Sequence, residues 1–341
     1  MDRIVIFRTD RIGEVLLSTV SIDAVKRAEP GALVSFVTSG YSKPLLDSRS
    51  DLQEVMVFEP GSHVFREAVR LAGMLRKRKF DAAIVLNPHK VLHLGCFLAG
   101  IPVRAGLSRK WGFLLTRSTA DERDKGQKHE VEYTLDILAT LGFHNGGNIS
   151  PRLVATARGT ARMLKALEKA GGGKGPFVAI HVSSSNPAKV WPAEKFARLI
   201  RSIKDKFGMD ILVLGSEDEK AYVREIIEMS GPGAIDLAGV LDLDMLAALL
   251  ARATVFIGND AGPMHMAAAS GVPVISIFRQ DPRGAGPNRW RPWGEEHVVF
   301  HETVSGDPMC IERLGNAYKW AAEIGPDEVS DMCGELLLRK R

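Results

Sequence analysis

Residues 254–278 read Thr-Val-Phe-Ile-Gly-Asn-Asp-Ala-Gly-Pro-Met-His-Met-Ala-Ala-Ala-Ser-Gly-Val-Pro-Val-Ile-Ser-Ile-Phe. An apolar run, a turn of small residues, an Ala-rich stretch and a second apolar run predict strand, turn, short helix and strand, the unit from which parallel α/β sheets are built. Pro263 suits the first helical position, where its missing N–H would have no partner anyway, and Gly262 before it lets a ligand approach the backbone. The open amides of Met264 and His265 then predict a phosphorylated guest, because a helix N-terminus offers N–H donors and the positive end of its dipole. Asp260, at the strand's end, would repel phosphate but accepts hydrogen bonds from hydroxyls or backbone amides. A sugar joined to a phosphate fits both halves; the plainer alternative is that Asp260 caps the helix and His265 packs in its first turn.

The same alternation runs outward in both directions. Apolar runs at Ile4–Phe7, Val34–Val37, Val55–Phe58 and Ala82–Leu86 alternate with helical patterns at 13–28, 64–78 and 91–99, and a helix at 129–142 closes the first half. His144-Asn145-Gly146-Gly147-Asn148 with Pro151 marks a boundary, giving domains 1–150 and 151–325 and a last helix within 326–341. Strands of the second half are predicted at Phe177–His181, Ile211–Leu214, Ile235–Leu237, Thr254–Ile257 and Val274–Phe278. Gly171-Gly172-Gly173-Lys174-Gly175 precedes a strand instead of following one, so it reads as a connector, not a phosphate loop. Two parallel sheets in tandem imply a cleft with ligands at the carboxyl ends of the strands.

With 341 residues, 45% hydrophobic and 25% charged, the chain is long enough for two cored domains of ordinary soluble composition. No run reaches the ~20 apolar residues of a spanning helix, and the first strand begins at once without a secretory leader, so a cytoplasmic protein is expected. Cys96, Cys310 and Cys333 are too far apart in sequence for a close-spaced thiolate metal cluster and are expected to be ordinary packed or surface thiols. A net charge of +4 does not argue for nucleic acid. Arg76-Lys77-Arg78-Lys79 reads as the solvated end of a helix. Arg104, Arg109, Lys110 and Arg117 surround Trp111, Phe113 and Leu114, a pattern that suits an anionic, lipid-linked acceptor at a membrane surface, or equally a partly buried loop.

Three further segments carry polar chemistry. After the first strand comes Arg8-Thr9-Asp10-Arg11-Ile12-Gly13-Glu14, with carboxylates beside a glycine but no Gly-x-Gly-x-x-Gly, which argues against a dinucleotide-dependent oxidoreductase. His181-Val182-Ser183-Ser184-Ser185-Asn186-Pro187-Ala188-Lys189-Val190-Trp191-Pro192 follows the first strand of the second half. Ser184, Ser185 and Lys189 there suit a diphosphate, while Trp191 reads as structural and the segment's alternative is a helix-entry turn. His89 and His93 stand at i, i+4 without a third ligand, so they are assigned to the acceptor side or the surface instead of to a metal.

Leu-Ala-Gly at 237–239, the helix 242–251, the quoted segment with its Asp260-Ala261-Gly262-Pro263-Met264-His265 turn, and Lys-x-Trp-Pro at 189–192 together resemble the ADP-heptose:lipopolysaccharide heptosyltransferases, glycosyltransferase family 9. The resemblance implies a GT-B fold of two facing Rossmann-like domains, with acceptor bound by the first, donor by the second, and the last helix packing back on the first. It implies inverting transfer of heptose from ADP-heptose to the lipopolysaccharide inner core, with no metal or cofactor, by a cytoplasmic enzyme peripheral on the inner face of the inner membrane. The family's N-terminal motif has aspartate where Glu14 stands; Glu14 is assigned as the base, with Asp10 as rival and Arg8 and Arg11 beside the acceptor. Donor contacts are expected from Ser184, Ser185, Lys189, Asp260, Ala261, Gly262, Pro263, Met264 and His265, with Leu241 at the adenine. Glu219 matches a position that contacts the ribose in the family, and equally reads as an acidic helix start. Threonine is common in the family where Ala261 stands, so one phosphate-directed hydroxyl is missing. A transferase of another sugar nucleotide or onto a protein, a nucleotide-sugar epimerase of similar fold and a non-catalytic sensor remain as alternatives.

Overall fold

The computed structural model describes residues 1–144, 149–172, 175–279, 284–302 and 318–339. Expectations for Asn145–Asn148, for Gly173 and Lys174, and for Cys310 lie outside the described residues. The chain divides into two units, Met1–Arg152 and Leu153–Arg341.

In the first unit β1 (Arg3–Phe7), β2 (Leu33–Thr38), β3 (Glu54–Val57), β4 (Ala82–Val85), β5 (Val103–Leu107) and β6 (Arg117–Thr119) form one sheet in the order β3-β2-β1-β4-β5-β6. Every pairing is parallel. The central strands are buried throughout, as the unbroken apolar runs require when helices cover both faces. The predicted helix over 13–28 is two helices, Ile12–Leu17 and Val20–Ala28, because the Ser18 and Thr19 amides fold back onto Glu14 and Leu16. Strands β5 and β6 escaped the sequence reading: Arg104 and Gly106 interrupt one, and the other is three polar-to-neutral residues.

The second unit repeats the plan with β7 (Phe177–His181), β8 (Asp210–Leu214), β9 (Ala234–Asp236), β10 (Val255–Asn259), β11 (Val274–Phe278), β12 (Val298–Glu302) and β13 (Tyr318–Ala321). Their order is β13-β12-β11-β10-β7-β8-β9, again all parallel. In each sheet the order reverses beside the first strand of the unit, at β1/β4 and at β7/β10, and the crevice beyond the strand ends at such a point is where open α/β sheets bind ligands. Gly258 allows the second closure: a Cβ there would lie 2.9 Å from the His181 carbonyl oxygen.

The last helix, Pro326–Arg339, closes the second unit. It packs on the helix Ala193–Phe207 of the second unit and puts Val329, Cys333 and Leu336 into that unit's core. Ser202 bonds Ser330 at 3.0 Å and Lys206 pairs with Asp331 at 2.7 Å across this contact. Cys96 and Cys333 are free and buried, and burial pushes both thiols up to about 12.

Candidate active site

The strand ends of the first switch point are tied by side chains. Asn87 Nδ2 donates to Thr9 Oγ1 at 3.0 Å, and its Oδ1 accepts from the Thr9 amide at 3.3 Å. Arg8, only 2% exposed, donates to Asp10 at 2.7 Å, to Glu130 at 3.0 Å and to the Leu86 carbonyl at 3.4 Å. The expectation that Arg8 meets the acceptor therefore gives way to an internal role: its charge is neutralised by two carboxylates and it fixes the loop that carries Asp10.

Glu14 lies in the first turn of the helix Ile12–Leu17, half-buried. Burial, reinforced by the charge of Asp10, raises its carboxyl above the ordinary range, against the pull of Arg8 and Arg11. Asp10 is exposed and bound to Arg8. The two candidate bases thus differ in kind, one desolvated with a raised pKa and one solvated and held by a guanidinium.

The rest of the basic set divides. Arg104, half-buried, donates to the carbonyls of Leu114 at 2.8 Å, Pro102 at 3.4 Å and Ile101, so it clamps the loop after β5. Arg11, Arg109, Lys110 and Arg117 are exposed. His89 caps the helix Lys90–Leu98 by accepting from the Val91 amide at 3.2 Å. The buried His93 donates from Nδ1 to the Lys110 carbonyl at 3.0 Å. It thereby holds Lys110 and Trp111 at φ values of +48° and +70°, which cost non-glycine residues on the order of 1–3 kcal/mol each. Within the Arg76–Lys79 run, Arg76 donates to the Leu98 carbonyl at 2.8 Å and Arg78 grips Glu54, so these two side chains are locally engaged.

The second switch point gathers most of the expected donor residues. The buried Asn259, last residue of β10, accepts from the Trp191 amide at 3.0 Å and donates to the Ser183 carbonyl at 3.4 Å, which joins the loop after β7 to the end of β10. Sequence reasoning missed it; a carboxamide closing the run Val-Phe-Ile-Gly was the available signal. Lys189 forms a close ion pair with Asp260, itself 8% exposed, and Ser184 donates to the Asp260 carbonyl at 3.4 Å. Lysine and aspartate, expected to serve different parts of a ligand, here neutralise each other. Ser185 is exposed in the same loop. Trp191 is fully buried, edge-on to Phe196 with centroids 5.0 Å apart.

The helix begins at Gly262, with Pro263 second and no side chain capping its N-terminus. The Met264 amide donates to the Ala261 carbonyl at 3.1 Å, so the expectation of an open Met264 amide is corrected. The N–H at the first helical position, Gly262, has no intrahelical acceptor. His265 is buried, its ring edge-on to Trp290 at 6.4 Å, a neighbour that the sequence did not reveal.

Glu219 accepts from the Ser216 amide at 2.7 Å in a capping box, so the acidic helix start is realised. It also lies 4.0 Å from Nε2 of the buried His181, which is 3.3 Å from the Ser183 hydroxyl. Burial lowers the His181 pKa, partly offset by Glu219. Burial raises that of Glu219, but the Ser216 amide, the Ser183 hydroxyl and His181 outweigh it and keep the carboxylate ionised. Both oxygen partners sit on one imidazole nitrogen and Nδ1 is buried without one, so this trio cannot relay a proton as a hydrolytic triad does. Leu241 is half-buried just before the helix Leu243–Leu250.

Two parallel α/β sheets of this order, one in each unit, are the architecture of the GT-B fold. The chain belongs to glycosyltransferase family 9 (heptosyltransferase), whose sequence profile it matches over residues 68–315. It is 27% identical over 299 residues to lipopolysaccharide heptosyltransferase 3 of Escherichia coli, covering 84% of each chain. Its fold is similar to that of a family 9 glycosyltransferase from Veillonella parvula, with TM-score 0.84, 22% identity and 99% and 98% of the two chains covered. The ADP-heptose lipopolysaccharide heptosyltransferase II of E. coli matches with TM-score 0.79 and 21% identity over 100% and 99%.

Proposed function

We propose that the protein transfers heptose from ADP-heptose to the inner core of lipopolysaccharide, onto a lipid A-Kdo or heptosyl acceptor, with inversion at the anomeric carbon. The observation that carries the donor half is the junction of Lys189, Asp260, Ser184 and the uncapped helix start at Gly262 at the ends of β7 and β10. Diphosphate has the charge to draw Lys189 from Asp260 and can accept from the Gly262 amide, and the Asp260 carboxylate can then accept from sugar hydroxyls. Relatives named as lipopolysaccharide heptosyltransferases support the sugar and the acceptor.

In this reading Glu14 removes the proton of the acceptor hydroxyl as it attacks the anomeric carbon opposite the leaving ADP. Its raised pKa brings it nearer the working pH than an ordinary carboxylate, which strengthens it as a base. Negative charge grows on the departing diphosphate, and Lys189 with the helix dipole stabilises it without requiring a metal. Arg11, Arg109 and Lys110 are the exposed cations left to meet the acceptor's acidic groups. Among the described residues no helix is long and apolar enough to cross a membrane. In this reading the exposed cations bring the protein to its lipid-linked acceptor by peripheral association from the cytoplasmic side.

The test is a thermal-shift screen over nucleotide sugars, followed by ADP release with and without a truncated core acceptor. ADP-heptose should give the largest shift and release should require acceptor. Stabilisation by a uridine or guanosine sugar alone would overturn the donor, and acceptor-independent change of the sugar would overturn the reaction.

A further inference from the structure

The loop after β5 does something the donor chemistry does not need. His93 holds Lys110 and Trp111 in the left-handed region, and the consequence is that large apolar side chains are put on the outside. Phe113 is 80% exposed. The Trp111 ring lies 6.4 Å from that of Phe113 and 5.9 Å from that of Phe65, itself 70% exposed on the helix Val64–Arg76. Val69, one turn on from Phe65, is exposed on the same helix face. Such a group is costly in water and is retained where it is covered in use.

Exposed cations stand beside it. Lys90 Nζ stands 5.6 Å from the Trp111 ring centroid, and Lys110, Arg109, Arg66 and Arg70 are exposed. Their acidic neighbours, Glu67 and Asp121, are each less than a tenth exposed and lie beneath the guanidinium groups they bind. Aromatic side chains framed by outward cations match the boundary between headgroups and acyl chains of an anionic bilayer: rings enter, cations meet phosphates.

We propose that Phe65, Trp111 and Phe113, framed by Lys90, Lys110 and Arg66, form the surface by which this protein seats on an anionic phospholipid bilayer. The proposal rests on the reading of a lipid-linked acceptor, but its test uses neither donor nor acceptor. Full-length protein is sedimented with vesicles of phosphatidylglycerol and phosphatidylethanolamine and, separately, of phosphatidylcholine. Wild type should partition onto the anionic vesicles, less with rising salt, and weakly onto phosphatidylcholine. Phe65→Ser with Phe113→Ser should reduce partitioning at least about tenfold. Lys90→Glu with Arg66→Glu should reduce it comparably and flatten the salt dependence. Both phenylalanines are so exposed that the double variant should keep its melting temperature and its ADP-induced shift, which separates lost docking from lost folding. Three results overturn the proposal: no binding by wild type, undiminished binding by the phenylalanine variant, or a wild-type dimer in solution that the same variant makes monomeric. In each of them transfer to a water-soluble acceptor still judges the glycosyltransferase reading independently.

Discussion

Replacing Glu14 by Gln separates the two candidate bases, because the amide keeps shape and hydrogen-bonding capacity while removing basicity. General-base catalysis is worth about 10²–10⁴ in rate, so Glu14→Gln should lower kcat by that factor, about 2.7–5.4 kcal/mol of barrier, with ADP affinity nearly unchanged. The structure adds a stability signature. Glu14 titrates above its unfolded value, chiefly through burial and then through Asp10. Between those two pKa values the folded state holds more protons than the unfolded one, so this group's contribution to stability falls as pH rises through that window. Above it the ionised carboxylate opposes folding, and Glu14→Gln should hold or raise the melting temperature at pH 7–8 while abolishing turnover. Asp10→Asn acts in another way. It removes a negative neighbour and leaves Arg8 and Arg11 less opposed, so Glu14 should titrate lower, the acidic limb of kcat/KM should move to lower pH, and most activity should remain. Steady-state pH profiles and differential scanning fluorimetry of both variants decide it. A loss in Asp10→Asn as large as that in Glu14→Gln, or an acidic limb that survives Glu14→Gln, would refute the assignment.

Lys189→Ala should weaken ADP binding and lower kcat, and should lower the melting temperature as well, because nearly buried Asp260 loses its ion pair. A cost of about 2 kcal/mol lies between exposed and fully buried pairs. Adding Asp260→Asn should restore stability in scanning fluorimetry but not ADP binding in calorimetry, and EDTA should change neither rate nor affinity. His181→Leu should reduce ADP affinity through a misplaced Glu219, and the reduction should shrink with 2′-deoxy-ADP if Glu219 holds the ribose diol. Equal losses for both nucleotides would mean that His181 only fills the core.

What the sequence disclosed follows from which residues have periodic or turn-forming signals. Buried parallel strands are continuous apolar runs, so Ile4–Phe7, Phe177–His181 and Val274–Phe278 were legible, and their alternation with helices gave the layered architecture. Strands β6 and β13 were not, since Arg-Ser-Thr and Tyr-Lys-Trp-Ala lie at sheet edges where one side needs no apolar character. The proposed donor residues Lys189, Asp260 and Gly262 were readable because they sit in the segments that follow strands. Their engagements were hidden, because pairing of Lys189 with Asp260, of Arg8 with Glu130 or of His93 with the Lys110 carbonyl joins residues brought together only by the fold. Arg104 shows the limit best: a cation in a basic segment reads as a binding residue until its carbonyl partners are seen.

The reversal of strand order in each sheet also sets a timetable for biogenesis. Ile4 pairs with Val34 early but cannot find its second neighbour until Ala82 has been made, nor can Val178, beside Ile211, until Val255 has. At about 5–20 residues per second of synthesis, each sheet waits about 1–5 s with β1–β3, or β7–β9, made and one side of its first strand unpaired. Such an open edge is the point at which nascent chains associate wrongly, and loops must close before distant pairing rewards them. The first unit completes its own switch point before β7 is translated, so an error in one half need not propagate to the other. Slowing translation between Val85 and Val103, or between Asn259 and Val274, should therefore favour correct folding more than slowing it elsewhere.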